Sequence, residues 1–203
     1  MWPQAYNRSC FLSPMWPEHQ CKFTAADLPK FGENDKSDDT QGTESRICVP
    51  AGNRKLSLAA EIFSKIPFRE YNATLYVSGR LLPRLRRKLQ ETIASFGIES
   101  HVVITSEVDY IKYHKRLSRC DIILPLTDPL DRPSHYPWND KKSSGVVPAL
   151  VAYKIPAVAH KEFAKIYRHV LTAPLEEYDD TTDSKVEALK RMLLRVHEKN
   201  RAS

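Results

Sequence analysis

No stretch of this 203-residue sequence approaches the roughly 18 to 20 consecutive apolar residues that span a bilayer, so no transmembrane segment is expected. The opening residues, MWPQAYNRSCFLSP, have neither the charged start nor the apolar centre of a secretory signal. With no address visible, a soluble chain is expected, and the cytoplasm is the favoured compartment. The four cysteines, Cys10, Cys21, Cys48 and Cys120, form no C-x-x-C pair and no metal-ligand spacing with histidine. That argues against bound zinc and against a disulfide framework. Cys48 and Cys120 lie in apolar runs and are expected in the core, whereas Cys10 and Cys21 could pair under oxidising conditions. The G-x-G-x-x-G and Walker phosphate loops are absent too, and no metal and no cofactor are expected.

Charge is present and unbalanced: 31 basic against 25 acidic residues leave a net +6, which attracts anionic partners without naming one. Apolar residues, 41% of the total, are unevenly placed. Residues 1–45 hold clustered Pro, Trp and Ser and then the run GENDKSDDTQGTES, which buries too little apolar surface to offset chain entropy; they read as an irregular segment and linker. From Arg46 the texture changes. Short runs of strand length, ICVP, ATLYVSG, HVVIT, DIILPL and IPAVAH, alternate with helical spacing over 56–66, 82–96, 108–117 and 143–153. Near-continuous apolar strands separated by crossover helices predict an α/β domain over residues 46–170. Its architecture is doubly wound and Rossmann-like, with a mainly parallel sheet of five or more strands. Residues 171–203 form a C-terminal segment. There Val186, Leu189, Met192, Leu193 and Val196 make one apolar stripe on a helix expected to dock on the domain, although a partner-binding helix carries the same pattern.

In open sheets of this kind, ligands bind outside the carboxyl ends of the strands, where strand order reverses. Three places on that edge hold suitable chemistry. After the first strand, Gly52 permits close backbone approach, and Arg54 and Lys55 add charge at a helix start whose free N–H groups suit phosphate; an ordinary strand-to-helix turn would look the same. After the fourth strand, the long connection from Thr127 to Lys142 carries His135, aromatic residues and charges of both signs. It ends in Ser143, Ser144 and Gly145, which could cap a helix and offer N–H groups to a diphosphate. After the fifth strand, His160 is placed to donate to phosphate or sugar, or to serve as a satisfied structural histidine. No catalytic residue is named by these patterns. The basic run from Arg80 to Lys88 reads as a solvated helix face, and its lack of interleaved aromatics makes nucleic acid an unlikely partner.

The order of the ICVPAGNRK loop, the ATLYVSG strand, the CDIILPLTDP strand and loop, and the KSSGVVPALVAYKIPAVAH segment resembles the C-terminal, donor-binding half of GT-B glycosyltransferases of the family 1 type. The resemblance covers about residues 46–170. It implies a domain that binds a nucleoside-diphosphate sugar without a metal and supports glycosyl transfer, with Gly52, Arg54 and Lys55 at the donor phosphates and Ser143, Ser144 and Gly145 at the phosphate-facing helix start. Many retaining members carry two glutamates eight positions apart around that helix; the corresponding positions here are Lys141 and Ala149. The 45 residues before Arg46 leave no room for the acceptor half, so the sequence could be a fragment of a longer enzyme or one part of a two-chain enzyme whose partner chain carries that half. The alternative is a non-catalytic protein that keeps the fold and uses its surface to bind a partner.

Overall fold

A computed structural model of the chain describes residues 44–50, 55–105, 109–127 and 146–202. Residues 1–43 of the segment expected to be irregular, with Cys10 and Cys21, lie outside the described residues, as do His135 and Lys141, and Ser45 at the end of that segment opens the first strand. Among the described residues there are six strands: β1 (Ser45–Pro50), β2 (Ala73–Ser78), β3 (Val102–Thr105), β4 (Ile122–Ile123), β5 (Ala157–His160) and β6 (Leu175–Tyr178). The helices are α1 (Leu56–Ser64), α2 (Pro83–Phe96), α3 (Tyr110–Ser118), α4 (Val147–Tyr153), α5 (Lys161–Tyr167) and α6 (Thr182–Ala202). The strands form one sheet in the order β3-β2-β1-β4-β5-β6, and each neighbouring pair runs parallel. The five expected strands are all present, with β6 added from the segment set apart as 171–203.

Period-two alternation along the strands explains the two layers of core. Ile47 and Val49 of β1, Leu75 and Val77 of β2, and Ile122 of β4 face one side, where α1, α2 and α6 cover them with Phe63, Leu89, Ile93, Leu189, Met192 and Leu193. Cys48, Ile123, Ala157 and Ala159 face the other side, against Leu117 of α3, Val147 and Leu150 of α4, and Phe163 of α5. Burial on both faces is what turns the strand sequences into nearly unbroken apolar runs. Local signals set the helix ends. Pro83 opens α2, and Gly97 caps its C-terminus at φ +65°. A Cβ on Gly97 would meet no atom within 4 Å, so backbone conformation alone favours glycine there. The Asp109 side chain caps α3 by accepting from the Lys112 N–H at 2.8 Å.

The stripe on α6 is docked: Val186, Leu189, Met192, Leu193 and Val196 are all buried. A charged clasp reinforces it, with Glu176 of β6 accepting from Arg191 Nε and paired with Arg195 Nη1, each at 2.9 Å. Glu176 is itself buried, and two guanidinium partners offset the desolvation of its carboxylate.

The cysteines require a correction. Cys48 and Cys120 are buried, as their apolar setting predicts, but they are also joined by a disulfide, with Cα atoms 5.9 Å apart and a sequence separation of 72. Spacing rules miss the pair because only the adjacency of β1 and β4 brings its two halves together. In register, Cys48 lies level with Ile123, and Asp121, next to Cys120, binds the Arg46 backbone through both its N–H and its Oδ2.

Candidate functional site

Strand order reverses between β1 and β4, so the crevice favoured for ligands opens beyond Pro50 and beyond Leu124. Of the expected site residues, Gly52, Arg54, Ser143, Ser144 and Gly145 lie outside the described residues. Lys55 is described and serves as the N-cap of α1, its carbonyl accepting from the Ala59 N–H at 3.1 Å. The first turn of α1 thus follows the carboxyl end of β1, and unpaired N–H groups at a helix start of this kind favour negative charge. The N-cap of α4 is Val146, with no side-chain cap, rather than Ser143 or Ser144.

After β4 the chain runs on through Leu124–Thr127, tied to β1 by the Leu124 N–H, which donates to the Cys48 carbonyl at 2.9 Å. Leu126 is buried in the core at φ +45°, an unusual backbone setting for a branched residue. Thr127 follows at the lip of the crevice. Its Oγ1 is buried and without a hydrogen-bond partner among the described residues. Thr105, at the matching end of β3, differs: its hydroxyl lies 3.3 Å from the Val77 carbonyl oxygen and 3.4 Å from Ser78 Oγ.

His160 ends β5 and is 1% exposed. Its Nδ1 accepts from the Glu162 N–H at 3.2 Å, which leaves the ring hydrogen on Nε2, 3.1 Å from Asp180 Oδ1. The hydrogen bond expected to reach a phosphate or sugar is thereby directed to Asp180. Asp180 is half exposed and sits on the β6–α6 loop, which a buried lysine gathers. Lys185 Nζ donates to the carbonyls of Asp179, Asp180 and Thr181 at 3.1, 2.9 and 3.4 Å and lies 5.0 Å from the Tyr178 ring centroid. Next to it, the Thr181 N–H and then the Thr181 hydroxyl hold the Asp179 carboxyl below its ordinary range. Asp180, Lys185 and Thr127 were not singled out from sequence. The cue available was the string Tyr178-Asp-Asp-Thr-Thr-Asp-Ser184, dense in turn and cap residues, directly before an amphipathic helix.

A second polar cluster lies between α3 and α4, behind the sheet. His114 is buried beside Tyr110, Tyr113 and Tyr153, with its Nδ1 3.0 Å from Tyr153 Oη. Desolvation pulls the imidazole down to about 4 and pushes Tyr113 up to about 12. Desolvation, and then the nearby Tyr110, pushes Tyr153 higher still. At neutral pH this is an uncharged aromatic packing unit.

No family model matches the sequence, and no curated protein matches it. Solved structures match by fold. Sucrose-phosphate synthase from Thermosynechococcus elongatus superposes with a TM-score of 0.58 at 13% identity, covering 89% of this chain and 46% of that one. Anabaena Alr3699/HepE in complex with UDP and glucose gives 0.57 at 14% identity, covering 89% and 49%. The C-terminal domain of the group 1 glycosyl transferase LpcC from Francisella tularensis gives 0.54 at 14% identity, covering 87% of this chain and 91% of that domain. The chain spans about half the length of the two longer proteins. Among the described residues no helix is long and apolar enough to cross a membrane. Strand order, parallel pairing and these superpositions together show the Rossmann-like fold of a GT-B half, corresponding to the C-terminal domain in LpcC.

Proposed function

We propose that this chain binds a nucleoside-diphosphate sugar in the crevice between β1 and β4 and supports glycosyl transfer together with an acceptor half. The observation that carries this reading is the reversal of strand order at β1 and β4, with the start of α1 and the Lys55 backbone at its rim. Arg54 and Lys55 neutralise the diphosphate, Gly52 lets the ligand approach the backbone, and N–H groups at Ser143, Ser144 and Gly145 donate to its oxygens. His160 contributes through Asp180, by fixing the β6–α6 loop on the same edge. The chemical share of such a domain is positioning and stabilisation of charge on the departing diphosphate. HepE was solved with UDP and glucose, which supports the ligand class.

On location, the Cys48–Cys120 disulfide pulls against the cytoplasmic expectation, because such bonds persist mainly in oxidising compartments.

The test is calorimetric titration of the pure chain with uridine, guanosine and adenosine diphosphates and their sugar conjugates. One of them binds saturably, and Arg54→Ala combined with Lys55→Ala weakens it by at least about tenfold, the scale of a lost charge-assisted contact. An unchanged affinity in the double variant removes the assigned roles; no binding by the wild type removes the function.

A further inference from the structure

Thr127 is the one described hydroxyl on the carboxyl edge of the central strands that the fold leaves unsatisfied. Three observations place it at the reversal point. Ile123 is level with Cys48 and the Leu124 N–H donates to the Cys48 carbonyl, so Thr127 follows β4 on the same edge of the sheet as Pro50, the end of β1. The preceding Leu126 holds φ +45° while its side chain is buried in the α1, α2 and α6 core. That burial sustains a backbone turn which a branched residue otherwise avoids, and strain of this sort gathers at binding sites. Thr127 follows this turn, its hydroxyl buried and without a partner among the described residues, whereas Thr105 at the end of β3 satisfies its hydroxyl internally.

A buried hydroxyl lacking a partner inside the protein costs stability, and at a ligand edge a ligand atom can supply that partner. From this we infer that Thr127 donates its hydroxyl to a diphosphate oxygen of the bound nucleotide, an inference that rests on the nucleotide-sugar reading. The acceptor is a phosphate oxygen because the crevice between β1 and β4 is shared with the α1 start, whose N–H groups also favour negative charge. An anionic acceptor makes the hydroxyl bond short and strong. Thr127 is thus a positioning residue for the diphosphate, additional to the basic side chains.

The experiment compares wild type, Thr127→Val and Thr127→Ser in calorimetric titrations with uridine, guanosine and adenosine diphosphates and the matching nucleosides, alongside thermal melts without ligand. Valine keeps the shape and removes the hydroxyl. The expected result is affinity about tenfold weaker for whichever diphosphate the wild type binds, no change for its nucleoside, and recovery to within about twofold in the serine variant. The ligand-free valine variant melts roughly 2–4 °C higher, since an unpaired buried hydroxyl has gone. Gain in stability with loss of binding is a combination that a purely structural threonine does not produce. A valine variant with unchanged diphosphate affinity, or with an equal loss for the nucleoside, overturns the inference while leaving the nucleotide reading in place. So does a lower melting temperature, because it shows the hydroxyl bonded inside the protein. A wild type that binds no diphosphate overturns both.

Discussion

The buried imidazole of His160 holds the half-exposed carboxylate of Asp180 at 3.1 Å, joining the end of β5 to the loop that leads from β6 into α6. Because Nδ1 is already committed to the Glu162 N–H, the direction of the contact is fixed: the ring donates and the carboxylate accepts. Asp180→Ala strands a buried N–H and is expected to cost about 1–3 kcal/mol in urea unfolding. Asp180→Asn, which still presents an acceptor oxygen, loses less than about 1 kcal/mol. Equal losses in the two variants would show that the carboxylate acts through charge instead of through this bond.

Lys185 works on the same loop from beneath. Its ammonium replaces the water that three consecutive carbonyls would otherwise bind, and it also lies over the Tyr178 ring. Lys185→Met keeps most of the stem and removes the donors, so the carbonyls are left to compete for solvent. The expected destabilisation is about 1–3 kcal/mol, with faster amide exchange at residues 179–181 than in the wild type. Protection at those amides that matched the wild type would mean the loop holds its shape without the lysine.

The parallel architecture was legible because central strands such as ICVP and IPAVAH, buried on both faces, leave no polar alternation to confuse with a surface hairpin. β6 was harder to see. Leu175-Glu-Glu-Tyr178 carries two glutamates, and Glu176 is buried only because Arg191 and Arg195 arrive from a helix that follows in sequence. The same dependence on tertiary partners hid the site residues that matter most on this edge. His160 could be placed at the end of its strand, but that its hydrogen bond goes to Asp180 depends on β6 pairing with β5. Thr127 carries no local signature whatever; its interest comes from what surrounds the hydroxyl.

Cys48 and Cys120 offer a third measurement. Closing a loop of 72 residues restricts the unfolded chain, and the chain-entropy relation puts the gain at about 4 kcal/mol as an upper figure. Cys48→Ala with Cys120→Ala is expected to lose roughly 2–4 kcal/mol relative to the oxidised wild type, measured by guanidinium unfolding. Reducing the wild type under denaturant and refolding it with thiol present lowers its midpoint in the same direction. Stability unmoved by both treatments would indicate that the sulfurs only pack, as apolar residues do.

His114 gives the fold a pH dependence whose sign follows from its environment. Burial lowers the imidazole from its ordinary 6.5 to about 4, so between those values the unfolded chain binds a proton that the folded chain refuses. The neutral ring therefore costs nothing above pH 6.5, and stability falls as pH drops from 6.5 towards 4. After allowance for partial solvent screening, the loss across that window is about 1–2 kcal/mol. His114→Gln removes the titration while keeping a polar atom near Tyr153 Oη, from which His114 Nδ1 is 3.0 Å away. Its unfolding free energy should thus change less than that of the wild type over the same pH range, whatever its absolute value. Parallel pH profiles for the two proteins would place the acid sensitivity outside the His114 cluster.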